Sequence, residues 1–208
     1  MIIVSDFDGT LTLDDVTTYV WDKYLGYDWR AKLLPPTYEG RWTPLEMIAR
    51  GYGDIRVPPK ELIAEIRATV RMRPGVEALA TFCRGRGWHF SVVSHGLAFY
   101  IEALLQPSWI PFTSFIGTFN EWSWRVALPP TVALSPGEDF KTRVVADLRA
   151  RHPGRQVVYL GDGRLDLPAA LASDRIFAVA DSSLADLARV SGRTVEEFES
   201  LDEVAAAL

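Results

Sequence analysis

The sequence is poor in the residues that cross-link a chain or bind soft metals. Its 208 residues hold one cysteine, Cys83, which excludes an internal disulfide framework and a Cys-rich zinc site. Three histidines, His89, His95 and His152, are too dispersed to read as a metal cluster. Positive charge is also scarce. Lys and Arg number 22 against 27 Asp and Glu, a net charge of −5. That argues against nucleic acid as partner, because neutralising phosphates requires a basic face. No apolar run approaches the roughly 20 residues of a membrane span. The opening Met1-Ile2-Ile3-Val4-Ser5-Asp6 lacks the basic start of a secretory signal. No GxGxxG follows the first apolar run, which removes the dinucleotide-binding reading. The expectation is a cytoplasmic protein, with no membrane partner, whose metal is held by oxygen ligands.

What is present is a set of short, uniformly apolar runs that end in polar residues. Ile2-Ile3-Val4, Phe90-Ser91-Val92-Val93 and Gln156 to Leu160 read as strands buried on both faces. Ile176 to Val179 reads as a fourth strand. Residues 112–128 read as a β-hairpin turning at Asn120-Glu121. Helical patterns start at Asp14-Asp15, at Thr43-Pro44-Leu45-Glu46, which is a capping box, at Pro59 and at Pro74. Further helices are expected from Phe99 to Leu105, Phe140 to Ala150 and near 165–172, 183–190 and 201–207. Strand–helix alternation predicts an α/β fold with a central parallel sheet flanked by helices. The block after the first strand is too long for one crossover helix. It predicts a helical cap over 13–73 inserted into a core of 1–12 and 74–208.

In a parallel sheet the carboxyl ends of the strands share one rim, where ligands bind. Asp6 and Asp8 follow the first run, Ser94 the second, and Asp162 and Asp166 the third. Residues distant in sequence should therefore converge. Taken alone, Asp6 and Asp8 could be a strand end beside a helix cap. Clustered carboxylates repel unless a cation lies among them or one keeps its proton, and an all-oxygen site suits Mg²⁺. Lys141 falls at a helix start, the wrong end for a cation, which favours a functional role as partner of a phosphoryl group. Ser94, with the backbone N–H groups of His95 and Gly96, is expected at a helix N-terminus as an anion site. Together these describe phosphoryl transfer.

Asp6-Phe7-Asp8-Gly9-Thr10-Leu11-Thr12, Ser94, Lys141 and Gly161-Asp162-Gly163-Arg164-Leu165-Asp166 resemble, in order, the four motifs of the haloacid-dehalogenase (HAD) superfamily of phosphatases. The resemblance spans residues 2 to about 180. The cap position and the hairpin after the second motif look most like the phosphoserine-phosphatase-like branch. Within that branch the sequence looks most like the methionine-salvage phosphatases acting on a methylthiopentenyl phosphate. The resemblance implies a HAD-type core of Rossmann-like topology. It implies Asp6 as nucleophile forming an aspartyl-phosphate, and Asp8 as general acid and base. It implies Mg²⁺ held by Asp6, the Asp8 carbonyl and Asp162, with Asp166 orienting the metal waters or the lysine. Ser94 and Lys141 would bind the phosphoryl oxygens of a small phosphorylated metabolite, in a monomer or homodimer.

Three departures bear on substrate. The branch has Ser-Gly-Gly where this sequence has Ser94-His95-Gly96. Asp15 takes the position of a substrate-binding Glu. Arg50 lies one residue from the position of a cap arginine. Residues 19–52 also hold eight of the fourteen Trp and Tyr. They either form the core of a small lobe or line an apolar pocket. Competing readings are a phosphotransferase or phosphomutase using the same intermediate, a receiver-type signalling domain, and a silent binding protein on the same fold. The long cap and the GDGxxD motif disfavour the receiver, and the intact acids disfavour the silent protein.

Overall fold

Ile2-Ile3-Val4 has no polar face, and the fold leaves none exposed: all three side chains are fully buried. A computed structural model describes residues 1–208. In chain order its elements are β1 (Ile2–Ser5), α1 (Val16–Tyr24), α2 (Trp29–Tyr38), α3 (Pro44–Gly53), α4 (Pro59–Thr69) and α5 (Val76–Gly85). Then come β2 (His89–Leu97), α6 (Ala98–Leu104), β3 (Phe112–Asn120), β4 (Ser123–Ala127) and α7 (Phe140–Arg151). The chain finishes with β5 (Val157–Gly161), α8 (Leu167–Leu171), β6 (Arg175–Val179), α9 (Ser183–Val190), β7 (Glu196–Phe198) and α10 (Leu201–Ala207).

The strands form one seven-stranded sheet in the order β4-β3-β2-β1-β5-β6-β7. Every pairing is parallel except that of β3 with β4, the expected hairpin. β1 sits at the centre, with Ser5 aligned to Val92 and to Leu160. This register places the ends of β1, β2 and β5 at one height, so the polar residues that follow them meet. β7 was not expected; three residues are too few for a periodic signal.

The chain leaves and returns to the sheet region through one short antiparallel pairing. Thr12 bridges Met72, Leu13 N–H donates to the Arg71 carbonyl, and Arg73 N–H donates to the Leu11 carbonyl. Between these points lie α1 to α4. α1 starts at Asp15, whose carboxylate accepts the Thr18 N–H, and α3 at the expected capping box of Thr43 and Glu46. α2 contains Pro35 and Pro36 and no helix was read there. Asp28 caps its start, and burial of Trp29, Leu33 and Pro36 holds it despite the prolines. No helix is long and apolar enough to cross a membrane.

Candidate active site

The strand ends open into a cavity of 280 Å³. Its floor carries Asp6 and Asp8 from the loop after β1, Ser94, His95 and Gly96 from β2, and Asp162 and Asp166 from the loop after β5. Lys141, in the first turn of α7, joins them. The convergence read from strand polarity is therefore the arrangement found. The roof is different in character: Trp21, Trp29, Leu34, Met47 and Ile48, from α1, α2 and α3.

Lys141 is 2% exposed, and its Nζ lies 2.7 Å from Asp6 Oδ1 and 2.7 Å from Asp166 Oδ1. Asp166 is fully committed to this lysine and to the loop. Oδ1 also accepts the Tyr159 hydroxyl at 2.7 Å, while Oδ2 accepts the Asp162 and Gly163 N–H groups. Asp162 Oδ1 accepts the Thr10 hydroxyl at 2.7 Å. Two glycines make room for these acids. A Cβ at Gly161 would overlap the Asp166 carboxyl, and one at Gly9, whose φ is +77°, would overlap that of Asp162.

Oxygens of Asp6, Asp162 and Asp166 lie within 4.8 Å of one another. Burial, followed by the charge of Asp166, pushes the Asp6 carboxyl well above its ordinary range, against the pull of Lys141. Burial and Asp166 likewise raise Asp162 to about 7. Burial and the charge of Asp15 raise Asp8 to about 8. Burial opposes the Lys141 charge, but Asp166 and Asp6 outweigh it and hold its pKa above the usual lysine value. The residues present fit a hard divalent cation: the donors are all oxygen, and a cation held by Asp6 and Asp162 would offset the neighbouring carboxylate charge, chiefly that of Asp166, which adds to burial in raising both. The carboxyl of Asp8 stands outside this cluster, turned towards Tyr100.

Ser94, His95 and Gly96 are not at a helix N-terminus, contrary to expectation. β2 continues to Leu97, and α6, only seven residues long, starts at Ala98. Ser94 pairs with Ser114 and Leu97 with Phe115, so His95 and Gly96 form a bulge between adjacent partners. Bulges re-aim side chains beside active sites. The Gly96 N–H donates to Ser94 Oγ at 2.9 Å, which closes the turn between them.

His95, 7% exposed, packs between Phe115 and Phe140 at centroid distances of 5.4 and 5.8 Å, and its Nε2 is buried without a hydrogen-bond partner. Burial and the Lys141 charge hold the imidazole neutral, well below its ordinary pKa of 6.5. The unfolded chain takes up this proton below pH 6.5 and the folded chain does not, so stability is lost as pH falls through that value. Urea unfolding of wild type and His95→Leu should show the variant gaining, relative to wild type, up to about 1.4 kcal/mol per pH unit below pH 6. Parallel stability curves for the two proteins would contradict a neutral buried imidazole.

The two cap positions separate. Asp15 lines the cavity at its mouth. Arg50 does not: its guanidinium stacks on Trp42 at 4.2 Å, and it borders a different depression with Tyr27 and Lys32. Arg164 is exposed at the rim, stacked on Tyr38 at 5.0 Å. Of the eight clustered aromatics, Trp21, Trp29 and Tyr38 face the cavity, so the pocket reading holds for these. Tyr52 is fully buried against Trp21 and Trp124, so the lobe-core reading holds there.

Four further residues serve the site and were not singled out from sequence. Thr10 and Tyr159 hold Asp162 and Asp166, and Tyr100 holds Asp8 at 2.6 Å. Buried Arg73 donates to the carbonyls of Gly9, Thr10 and Glu199, fixing the loop after β1. Thr10 lay inside the quoted motif; the others have no local signal.

Residues 3–171 match the family of haloacid dehalogenase-like hydrolases, and the chain belongs to that family. It is similar to a polyol phosphate phosphatase of Saccharomyces cerevisiae, 24% identical over 224 residues that cover 100% of this chain and 92% of the relative. It is also similar to a 2-hydroxy-3-keto-5-methylthiopentenyl-1-phosphate phosphatase of Geobacillus kaustophilus, 27% identical over 185 residues, 86% of this chain and 82% of the relative. Its fold is shared with a phosphoserine phosphatase solved as a phospho-aspartyl intermediate analogue: TM-score 0.77, 14% identity, covering 100% of this chain and 98% of that one. The chain is thus a phosphatase-type hydrolase of this family.

Proposed function

We propose that the protein is a Mg²⁺-dependent phosphomonoesterase acting on a small phosphorylated metabolite through an aspartyl-phosphate on Asp6. The observation that carries this reading is the buried Lys141, held 2.7 Å from both Asp6 and Asp166 beside the separately held Asp8. The Asp6 carboxylate has no protein partner besides Lys141 and lines the cavity, as a nucleophile must. An Asp6 oxygen attacks phosphorus, the bond to the leaving oxygen breaks, and Asp8 gives that oxygen its proton. Asp8 then takes a proton from the water that attacks phosphorus, and the bond to Asp6 breaks to release phosphate. A carboxyl pushed up to about 8 carries the proton the first half needs at neutral pH. Lys141 and Ser94 stabilise the phosphoryl oxygens. Asp6, Asp162 and the Asp8 carbonyl would hold Mg²⁺, which when bound offsets charge on the phosphoryl group.

Residues 13–73 act in this reading as a cap on a core of 1–12 and 74–208. The pairing of Thr12 with Met72, where the chain leaves and returns, supports that division. The cap brings apolar side chains and Asp15 to the cavity but no cation. The leaving group is therefore an alcohol with an apolar part, since a substrate carboxylate would find only Arg164, exposed at the rim and already stacked on Tyr38. A volume of 280 Å³ is at the small end of metabolite sites.

Phosphate release from a panel of phosphomonoesters, with and without Mg²⁺, tests the reading. Esters of neutral, partly apolar alcohols should exceed phosphoserine in kcat/KM by about 100-fold or more, the scale set by an unpaired buried charge. Absence of turnover across the panel would remove the enzyme reading. Preference for phosphoserine would remove the substrate class alone.

A further inference from the structure

Asp8 is gripped from both sides. Its Oδ1 accepts the N–H of Val16, the first residue of α1, at 3.2 Å. Its Oδ2 accepts the Tyr100 hydroxyl at 2.6 Å, with Ser94 Oγ at 3.3 Å. Tyr100 is fully buried on α6, packed edge-on to Phe99 at 5.3 Å. It is absent from the cavity wall and meets the site through the Asp8 carboxyl, Gly96 and Thr17. Its hydroxyl is also 3.2 Å from Thr17 Oγ1 on α1.

A second, independent observation concerns Gly96. Its φ is not in the left-handed region, so its backbone conformation does not call for glycine. Space does: a Cβ at this position would overlap both the Tyr100 hydroxyl and Asp8 Oδ2. The bulge in β2 thus places a residue without a side chain where the two oxygens meet. A buried carboxyl can turn about its terminal bond, and its proton can sit on either oxygen. Oδ2 takes two hydroxyl donors, Tyr100 and Ser94, whereas Oδ1 takes only the Val16 N–H and keeps a lone pair for the transferable proton.

We infer that Tyr100 is a positioning residue for proton transfer by Asp8, fixing the carboxyl so that Oδ1 serves the leaving oxygen, and that Gly96 exists to admit this contact. The inference rests on the reading of Asp8 as general acid. A misplacement of about 1 Å at a reacting group can cost on the order of 100-fold in rate.

The test uses two probes in Mg²⁺ buffer with enzyme in excess, reading release of the leaving group in a single turnover. p-Nitrophenyl phosphate has a leaving group that departs without a proton; a simple alkyl phosphate such as glycerol 1-phosphate does not. Tyr100→Phe keeps the ring and removes the hydroxyl. It should slow alkyl release by about 10- to 100-fold, leave nitrophenol release within about threefold, and leave the enzyme concentration that gives half the maximal single-turnover rate unchanged. Gly96→Ala, whose Cβ would overlap both oxygens, should slow alkyl release more than nitrophenol release, and serves if Tyr100→Phe fails to fold. Asp8→Asn is the reference and should give a larger split of the same sign. Were Asp8→Asn to slow both esters equally, the acid role and this inference would fall together. If Asp8→Asn discriminates but Tyr100→Phe and Gly96→Ala slow both esters alike, or neither, the inference alone is overturned.

Discussion

Asp6→Asn is expected to lower kcat on any ester the wild type hydrolyses by at least about 10⁴-fold, the scale seen when a covalent nucleophile is removed. Asn keeps the size of the side chain and an oxygen acceptor for Lys141, but it cannot form a phosphoryl ester. The fold should tolerate the change. One charge leaves a crowded group in which Asp162 and Asp166 remain, and Lys141 keeps its 2.7 Å contact with Asp166. The expected result is a protein with a thermal midpoint close to that of wild type and no measurable turnover. Residual activity within about 100-fold of wild type would mean that water attacks phosphorus directly, with Asp6 only a ligand.

Lys141→Met should be the most destabilising change in the site. The ammonium is buried between two carboxylates, and removing one member of a buried ion pair leaves uncompensated charge costing about 3–5 kcal/mol. The folded pKa of Lys141 lies above the unfolded value of 10.5, so its contribution is complete below pH 10.5 and is lost only as pH rises through the folded value. Across the neutral range the titration of the lysine itself therefore leaves the deficit in urea unfolding unchanged. At lower pH the deficit should shrink, because Asp6, with its raised pKa, takes a proton and no longer needs the lysine. A deficit independent of pH would point to lost packing alone.

The two parts of the molecule were legible to different degrees. Strand polarity alone brought Asp6, Asp8, Ser94, Asp162 and Asp166 to one rim, because uniformly apolar runs such as Ile2-Ile3-Val4 leave only one place for the polar residues after them. Lys141 stood out because a cation at a helix start is electrostatically misplaced unless acids face it. The extent of β2 was not legible. Ser94-His95-Gly96 looks like a strand ending at a helix, and only the register with Ser114 and Phe115 makes it a bulge. No helix pattern was read at α2, which contains Pro35 and Pro36 and is stabilised by tertiary burial of its Trp29 and Leu33. Tyr100, Tyr159 and Arg73 act across long sequence separations and look like ordinary core or surface residues in one dimension. Arg50 was placed by counting along a resemblance, and counting cannot say which face of α3 a side chain takes; its stacking on Trp42 turns it away from the acids.

The scarcity of cysteine, histidine and net positive charge takes on a definite meaning at this site. The cavity holds five aspartates and only two cations, one of them exposed at the rim. The chemistry proposed for it depends on one covalent event at one of those acids. The direct measurement is borohydride trapping of an acyl phosphate. Asp8→Asn, which cannot activate water for the second half-reaction, is mixed with p-nitrophenyl phosphate and Mg²⁺, reduced, and digested for peptide mass spectrometry. Homoserine at position 6, formed only when both ester and Mg²⁺ are present, is the expected result. Release of nitrophenol with position 6 unmodified, or reduction at another aspartate, would contradict the assignment of Asp6 as nucleophile.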